Sequence, residues 1–207
     1  MSARRLFVFT ALVIVAIGAS YIVRSCSSVP SSPDTADPVS PLVLSVPDDF
    51  HYLQTDKRWS DAVMGASGGT ISDFGCTLSS VAMAVSNLGV DVDPGVLNAA
   101  LNSADGYTDR GWLKWGALED VTEGAVKVTI YDEPKAEQID LCLQDGHYPV
   151  VKFMLDDRVQ HWALVVGKTT DDWVVRDPLD DTRTVRPLGE LTSAFESVRC
   201  IRPNSEM

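Results

Sequence analysis

Residues 71–85 read ISDFGCTLSSVAMAV. After Cys76 the apolar residues Leu78, Val81, Ala82, Val85 and Leu88 recur at helical spacing, and Gly89 ends the run. Cys76, preceded by Gly75, therefore stands where an amphipathic helix begins. The positive end of the helix dipole and the unpaired amides there favour the thiolate, the attacking species in thiol catalysis. Taken alone, the segment favours the plainer role of a small buried hydrophobe.

On the C-terminal side, Asp93 as N-cap and Pro94 in the first turn announce a second helix running to about residue 103. A third is expected over 112–121. The period then changes. Strands are expected at 126–131, 148–155, 159–168, 173–177 and 182–188, with helices at 134–144 and 189–196. No internal repeat is present. Helices first and an antiparallel sheet afterwards make an α+β domain, not a chain of βαβ units.

A thiolate needs a base or cation beside it, and the chain has three histidines. His51 borders a proline-rich stretch, and His147 stands in the turn-like DGHYP, where exposure is expected. His161 opens the apolar strand QHWALVVG, which would hold its imidazole rigidly. The two runs QHWALVVG and WVVRDPLDD flank the polar residues 168–172 and read as a hairpin. The mean of 161 and 177 is 169, inside that turn, so His161 and Asp177 lie near each other across the strand pair. A carboxylate there can fix the imidazole tautomer and stabilise its charged form. Cys142 sits among Ile139, Leu141 and Leu143, where core packing is the default, and Cys200 lies in the strand-like VRCI. An oxidising compartment would allow these two to pair, but sequence does not set their distance.

The N-terminal part has another texture. Arg4 and Arg5 precede eighteen uncharged residues, 6–23 (LFVFTALVIVAIGASYIV). As a helix these cover about 27 Å, enough for a thin hydrocarbon core. The flanking arginines favour an N-terminus inside and a body outside the cytoplasmic membrane. A cleaved signal peptide (small-x-small at 16–18) and a lipidated Cys26 are the rivals, and all three export the domain. Residues 27–50 carry five prolines, four aspartates and no base, and read as a stiff extended spacer. The division is thus a signal-anchor at 1–26, a linker at 27–50 and one domain at 51–207. With 29 acidic against 17 basic residues and a net charge of −12, the chain lacks the basic surface that nucleic acid demands. No CxxC pair suggests a metal, and no motif calls for a cofactor.

QTDKRW, then GC opening a helix, then HWALVVG, then VVRDP: in this order the chain resembles papain-like cysteine peptidases of the bacteriocin-processing (double-glycine leader peptidase) family, in its broad "like" branch. The resemblance covers about 51–200. It implies a papain-like fold in which a helix cluster bearing the cysteine packs on an antiparallel sheet bearing histidine and aspartate. It further implies Cys76 as nucleophile, His161 as general base and acid, Asp177 as orienting residue, and Gln54 as an oxyanion donor beside the Cys76 amide. Trp59 and Trp162 match positions that carry packing aromatics. The separation of 22 positions from Gln54 to Cys76 exceeds the family's close spacing, so the fold carries over better than the double-glycine substrate.

The function implied is a membrane-anchored extracytoplasmic thiol hydrolase that cuts a peptide, a protein or a peptidoglycan peptide, with acyl transfer open to the same residues. The alternative from another class is a catalytically silent module that binds peptide or cell-wall material in the same cleft. A mere anchor or spacer protein is the least favoured, since all four site residues are present.

Overall fold

The computed structural model describes residues 41–205. The expected membrane span at 6–23, Cys26 and most of the 27–50 spacer lie outside the described residues. Among the described residues no helix is long and apolar enough to cross a membrane.

Every strand pairing is antiparallel. The strands are β1 (Leu44–Ser45), β2 (Val126–Tyr131), β3 (Tyr148–Leu155), β4 (Val159–Lys168), β5 (Trp173–Arg176), β6 (Arg186–Pro187) and β7 (Phe195–Pro203), in the order β2-β7-β3-β4-β5-β6. β1 continues the sheet where β3 no longer flanks β4, with Leu44 opposite Lys168 and Ser45 opposite Gly167. The end of the spacer is thereby part of the sheet. The helices are α1 (Ile71–Phe74), α2 (Cys76–Asn87), α3 (Pro94–Ser103), α4 (Ala117–Val121) and α5 (Ala136–Gln144).

α2 packs on β4, β3 and β7, and on α3. Its Leu78, Val81, Ala82, Met83, Ala84 and Val85 are wholly buried, so hydrophobic residues hold nearly the full circumference. The Ser80 hydroxyl donates to the Trp162 carbonyl at 3.2 Å, joining the helix to β4 one residue beyond His161. On α3, the Asp93 carboxylate accepts from the Val96 amide at 2.8 Å and Pro94 opens the first turn, as expected. Cys142 of α5 and Cys200 of β7 form a disulfide that clips this helix to the sheet.

Three expected elements differ. The helix expected over 112–121 is only α4. Gly111 has a φ of +78°, and a bridge between Tyr107 and Leu113 holds residues 107–113 in a turn. The strand expected at 182–188 shrinks to β6, because the side chains of Asp180, Thr182 and Thr184 bond to one another and to nearby amides, an alternative to the ladder. The helix expected at 189–196 is instead a 3₁₀ turn (Leu188–Glu190) followed by β7. The Gly189 amide is taken by the Asp172 carboxylate, and from Phe195 onward the chain pairs with both β3 and β2. Two unfilled ladder edges outweigh a weak helical pattern.

Candidate active site

Cys76 begins α2, but a one-turn helix precedes it. Thr70 caps α1 reciprocally: its hydroxyl accepts from the Asp73 amide at 3.3 Å, and Asp73 Oδ2 accepts from the Thr70 amide at 2.8 Å. Gly75 joins α1 to α2. A Cβ there would lie 2.5 Å from the Ile71 carbonyl oxygen and from Ile71 Cγ2, so the chain can bend into α2 at this point only without a side chain. The Cys76 residue is 7% exposed and is the free cysteine of the described residues.

His161 and Asp177 meet because of a flaw in the ladder. Near the turn, Lys168 pairs with Trp173 and Gly167 with Val174; beyond a register shift, Val165 pairs with Val175 and Leu164 with Arg176. One more step sets Asp177 opposite Ala163, on the same face as His161 and diagonal to it. Had the first register continued, Asp177 would stand opposite Leu164 and point to the other face, since a one-residue slip turns every side chain over. The sequence midpoint of 169 is thus one residue short. Asp177 is a diagonal partner within reach, and its Oδ1 lies 2.8 Å from His161 Nε2. The same oxygen accepts from the Leu179 amide at 2.9 Å, which holds the carboxylate in its turn. Phe153, directly across from His161 on β3, sets its ring edgewise to the imidazole at 5.4 Å.

Electrostatics follow from this packing. Burial pulls the His161 pKa down, but hydrogen bonds to Asp177 and to Cys76 outweigh it, and the net value is pushed up to about 9. For Asp177, burial pushes the pKa up, and the hydrogen bond and charge of His161 more than reverse this, leaving it below the ordinary carboxylate range. With Nε2 committed to Asp177, Nδ1 is the ring nitrogen left for the Cys76 sulfur.

Gln54 is tied to both halves. Its backbone amide donates to the Pro178 carbonyl at 3.0 Å, next to Asp177, and its side-chain Nε2 donates to the Ser72 carbonyl of α1 at 3.0 Å. A carbonyl can only accept, so the amide orientation is determined, and one Nε2 hydrogen remains for the cleft that Gln54 lines. Trp59 is buried and its indole N–H donates to the Leu53 carbonyl at 2.8 Å, bracing this loop.

Gln54, Cys76 and His161 line one cleft of about 590 Å³. Several other lining residues escaped the sequence reading. Trp115 packs on Trp162 at 5.2 Å, and the guanidinium of Arg199 lies 5.4 and 5.7 Å from their ring centres. Arg199 also pairs with Asp132 at 2.9 Å. A lone arginine in the apolar run VRCI was the available signal. Arg158 and Trp112 line the rim and carried none. His51 and His147 are not among the lining residues. Both are half-buried, His147 included, and burial lowers both pKa values. Among the described residues no cluster of His, Cys, Asp and Glu could hold a metal.

No family model matches the chain, and no curated protein matches it in sequence. Among solved structures, the crystal structure of a provisionally assigned C39-like peptidase from Bacillus anthracis is similar, with a TM-score of 0.50 and 14% identity. The likeness covers 78% of this chain and 99% of that one. At this identity the likeness speaks for the fold alone, an α+β domain with an antiparallel sheet, and it is consistent with a papain-like architecture.

Proposed function

We propose that this protein is a thiol hydrolase that cuts amide bonds in peptides outside the cytoplasmic membrane. The observation that carries it is the buried pair of the His161 imidazole and the Asp177 carboxylate, 2.8 Å apart, with His161 and the free Cys76 thiol lining one cleft large enough for several residues of peptide. His161 takes the proton of the Cys76 thiol, and the sulfur attacks the scissile carbonyl carbon. Gln54 Nε2 and the Cys76 amide stabilise the oxyanion. The imidazolium then protonates the leaving amine, and a water deprotonated by His161 releases the acyl group from the thioester. Asp177 holds the ring and its charge throughout. The fold likeness fits this chemistry; double-glycine specificity is no part of the proposal.

Residues 6–23 would hold the domain on the outer side of the membrane, N-terminus inside. Protease added to spheroplasts should then remove the domain; protection of the intact chain would overturn the topology. For the chemistry, a thiol-directed peptide probe should label Cys76 and lose most of that labelling in His161→Ala. Equal labelling of both proteins would favour a silent binding module.

A further inference from the structure

The cleft is charged against the grain of the molecule. In a chain of net charge −12, its ionisable lining besides Cys76 and His161 is Lys152, Arg158, Arg199 and a single acid, Asp73. Asp73 is already engaged, since its Oδ2 accepts at 2.8 Å from both the amide and the hydroxyl of Thr70. Lys152 is paired with Glu196 at 3.0 Å and Arg199 with Asp132 at 2.9 Å. Arg158 is different: among the described residues its side chain has no ion pair. It is exposed, and it follows the β3–β4 turn carried by Asp156 and Asp157 in the left-handed region, φ +51° and +55°. Neither of those acids lines the cleft.

The rim is also unusually apolar. Trp112, Val159 and Leu179 line it while 53%, 61% and 44% exposed. Large apolar side chains left wet around a reactive thiol mark a surface that another molecule covers. An uncommitted guanidinium within that ring is suited to a carboxylate.

Resting on the reading of this cleft as a substrate site, we propose that it selects extended polypeptide segments carrying an acidic side chain, which docks on Arg158 while flanking apolar side chains cover Trp112, Val159 and Leu179. A cell-wall peptide shares the carboxylates but offers no large apolar side chains for the rim, so polypeptide is the class favoured.

The test uses the full chain in detergent with Cys76→Ser, so that binding is read without turnover. The probes are fluorescein-labelled nonapeptides of alanine and leucine with one Glu, Gln or Lys placed at each position in turn. At the best position the Glu peptide should bind about tenfold tighter than its Gln twin, the worth of one charge-assisted contact. Adding Arg158→Gln should erase that ratio, and Arg158→Glu should place Lys above Glu. Equal binding of the Glu and Gln peptides, or the same ratio without the arginine, overturns the proposal. An alanyl-γ-glutamyl-diaminopimelyl wall peptide should bind at least about tenfold more weakly than the Glu nonapeptide, and equal binding overturns the choice of polypeptide. Incubating the same nonapeptides with the intact thiol separates the two claims. Acid-selective binding with no cleavage sinks the hydrolase, and cleavage without acid selectivity sinks the role of Arg158.

Discussion

The two sides of the cleft are built by different means. On the helical side, Cys76 is positioned by residues within six of it in sequence: the Thr70–Asp73 cap, the side-chain-free bend at Gly75, and the start of α2. On the sheet side, His161 and Asp177 are sixteen residues apart and depend on a register shift between Val165 and Gly167 for sharing a face. A thiol at a helix start can be placed by local rules, whereas a buried imidazole–carboxylate pair needs a long-range ladder. Gln54 links the two, with one hydrogen bond to Ser72 and another to Pro178.

If that division is right, damage to each side should have a distinct signature. The largest effect falls on the pair that faces across the cleft: Cys76→Ala on the helical side should reduce turnover to background, because no other residue supplies the acyl-enzyme, and His161→Ala on the sheet side should cost nearly as much without adding to it. Progress curves on the two single variants and the double variant check this.

Inserting one valine between Val175 and Arg176 should move Asp177 opposite Trp162 and turn it away from His161. Turnover should fall on the order of 10³–10⁴, as for Asp177→Asn, where the charge and tautomer partner is lost in place. NMR titration should show the His161 pKa dropping from about 9 in both variants. An insertion variant that folds and keeps the elevated value would break the register account.

Gln54→Ala touches the link and should lower kcat on the order of 10²–10³ with little change in stability, if the amide serves the oxyanion. Full activity would leave Cys76 and His161 standing and remove Gln54 from the chemistry.

Smallest for turnover is Cys142→Ser with Cys200→Ser, far along the sheet. The bridge spans 58 residues, and its loss should lower unfolding stability by about 4 kcal/mol on loop entropy while kcat at low temperature stays near its starting value. Denaturant melts of the oxidised protein and the double variant measure the difference.

The pair also sets a pH signature. His161 has its pKa raised from 6.5 to about 9, so its stabilising contribution is complete below about pH 6.5 and is lost as pH rises through 9. Asp177 has its pKa lowered from 3.8, so its contribution is present above that value and is lost as pH falls below it. The stability gap between the natural chain and Asp177→Asn should therefore be widest between about pH 4 and 6.5 and should narrow toward pH 9 and above. A gap independent of pH would contradict the ion pair.

Much of this was legible from residue order. The spacing of Leu78, Val81, Ala82 and Val85 predicted α2, and Asp93-Pro94 predicted α3. Apolar runs predicted β2, β3 and β4 with the bounds the structure has. These elements are set by short-range preferences and by a period that burial of one face or all faces imposes. The cysteine at a helix start and the histidine opening a strand were visible for the same reason.

Tertiary structure alone decided the rest. The strand-like VRCI grew back to Phe195, into the expected helix, because β2 and β3 each offered an open edge, a fact stored in elements up to 77 residues away. Trp112 and Trp115 left the expected helix because Gly111 and the Tyr107–Leu113 bridge turned the chain there, which placed both on the cleft. The disulfide depended on where α5 landed against β7, which no spacing specifies. The meeting of His161 with Asp177 hung on a single unpaired residue in β4. Sequence order carries local propensity and periodicity. Register, edge pairing and the charge balance of a cleft arise from contacts between distant segments, and those exist only once the chain has closed on itself.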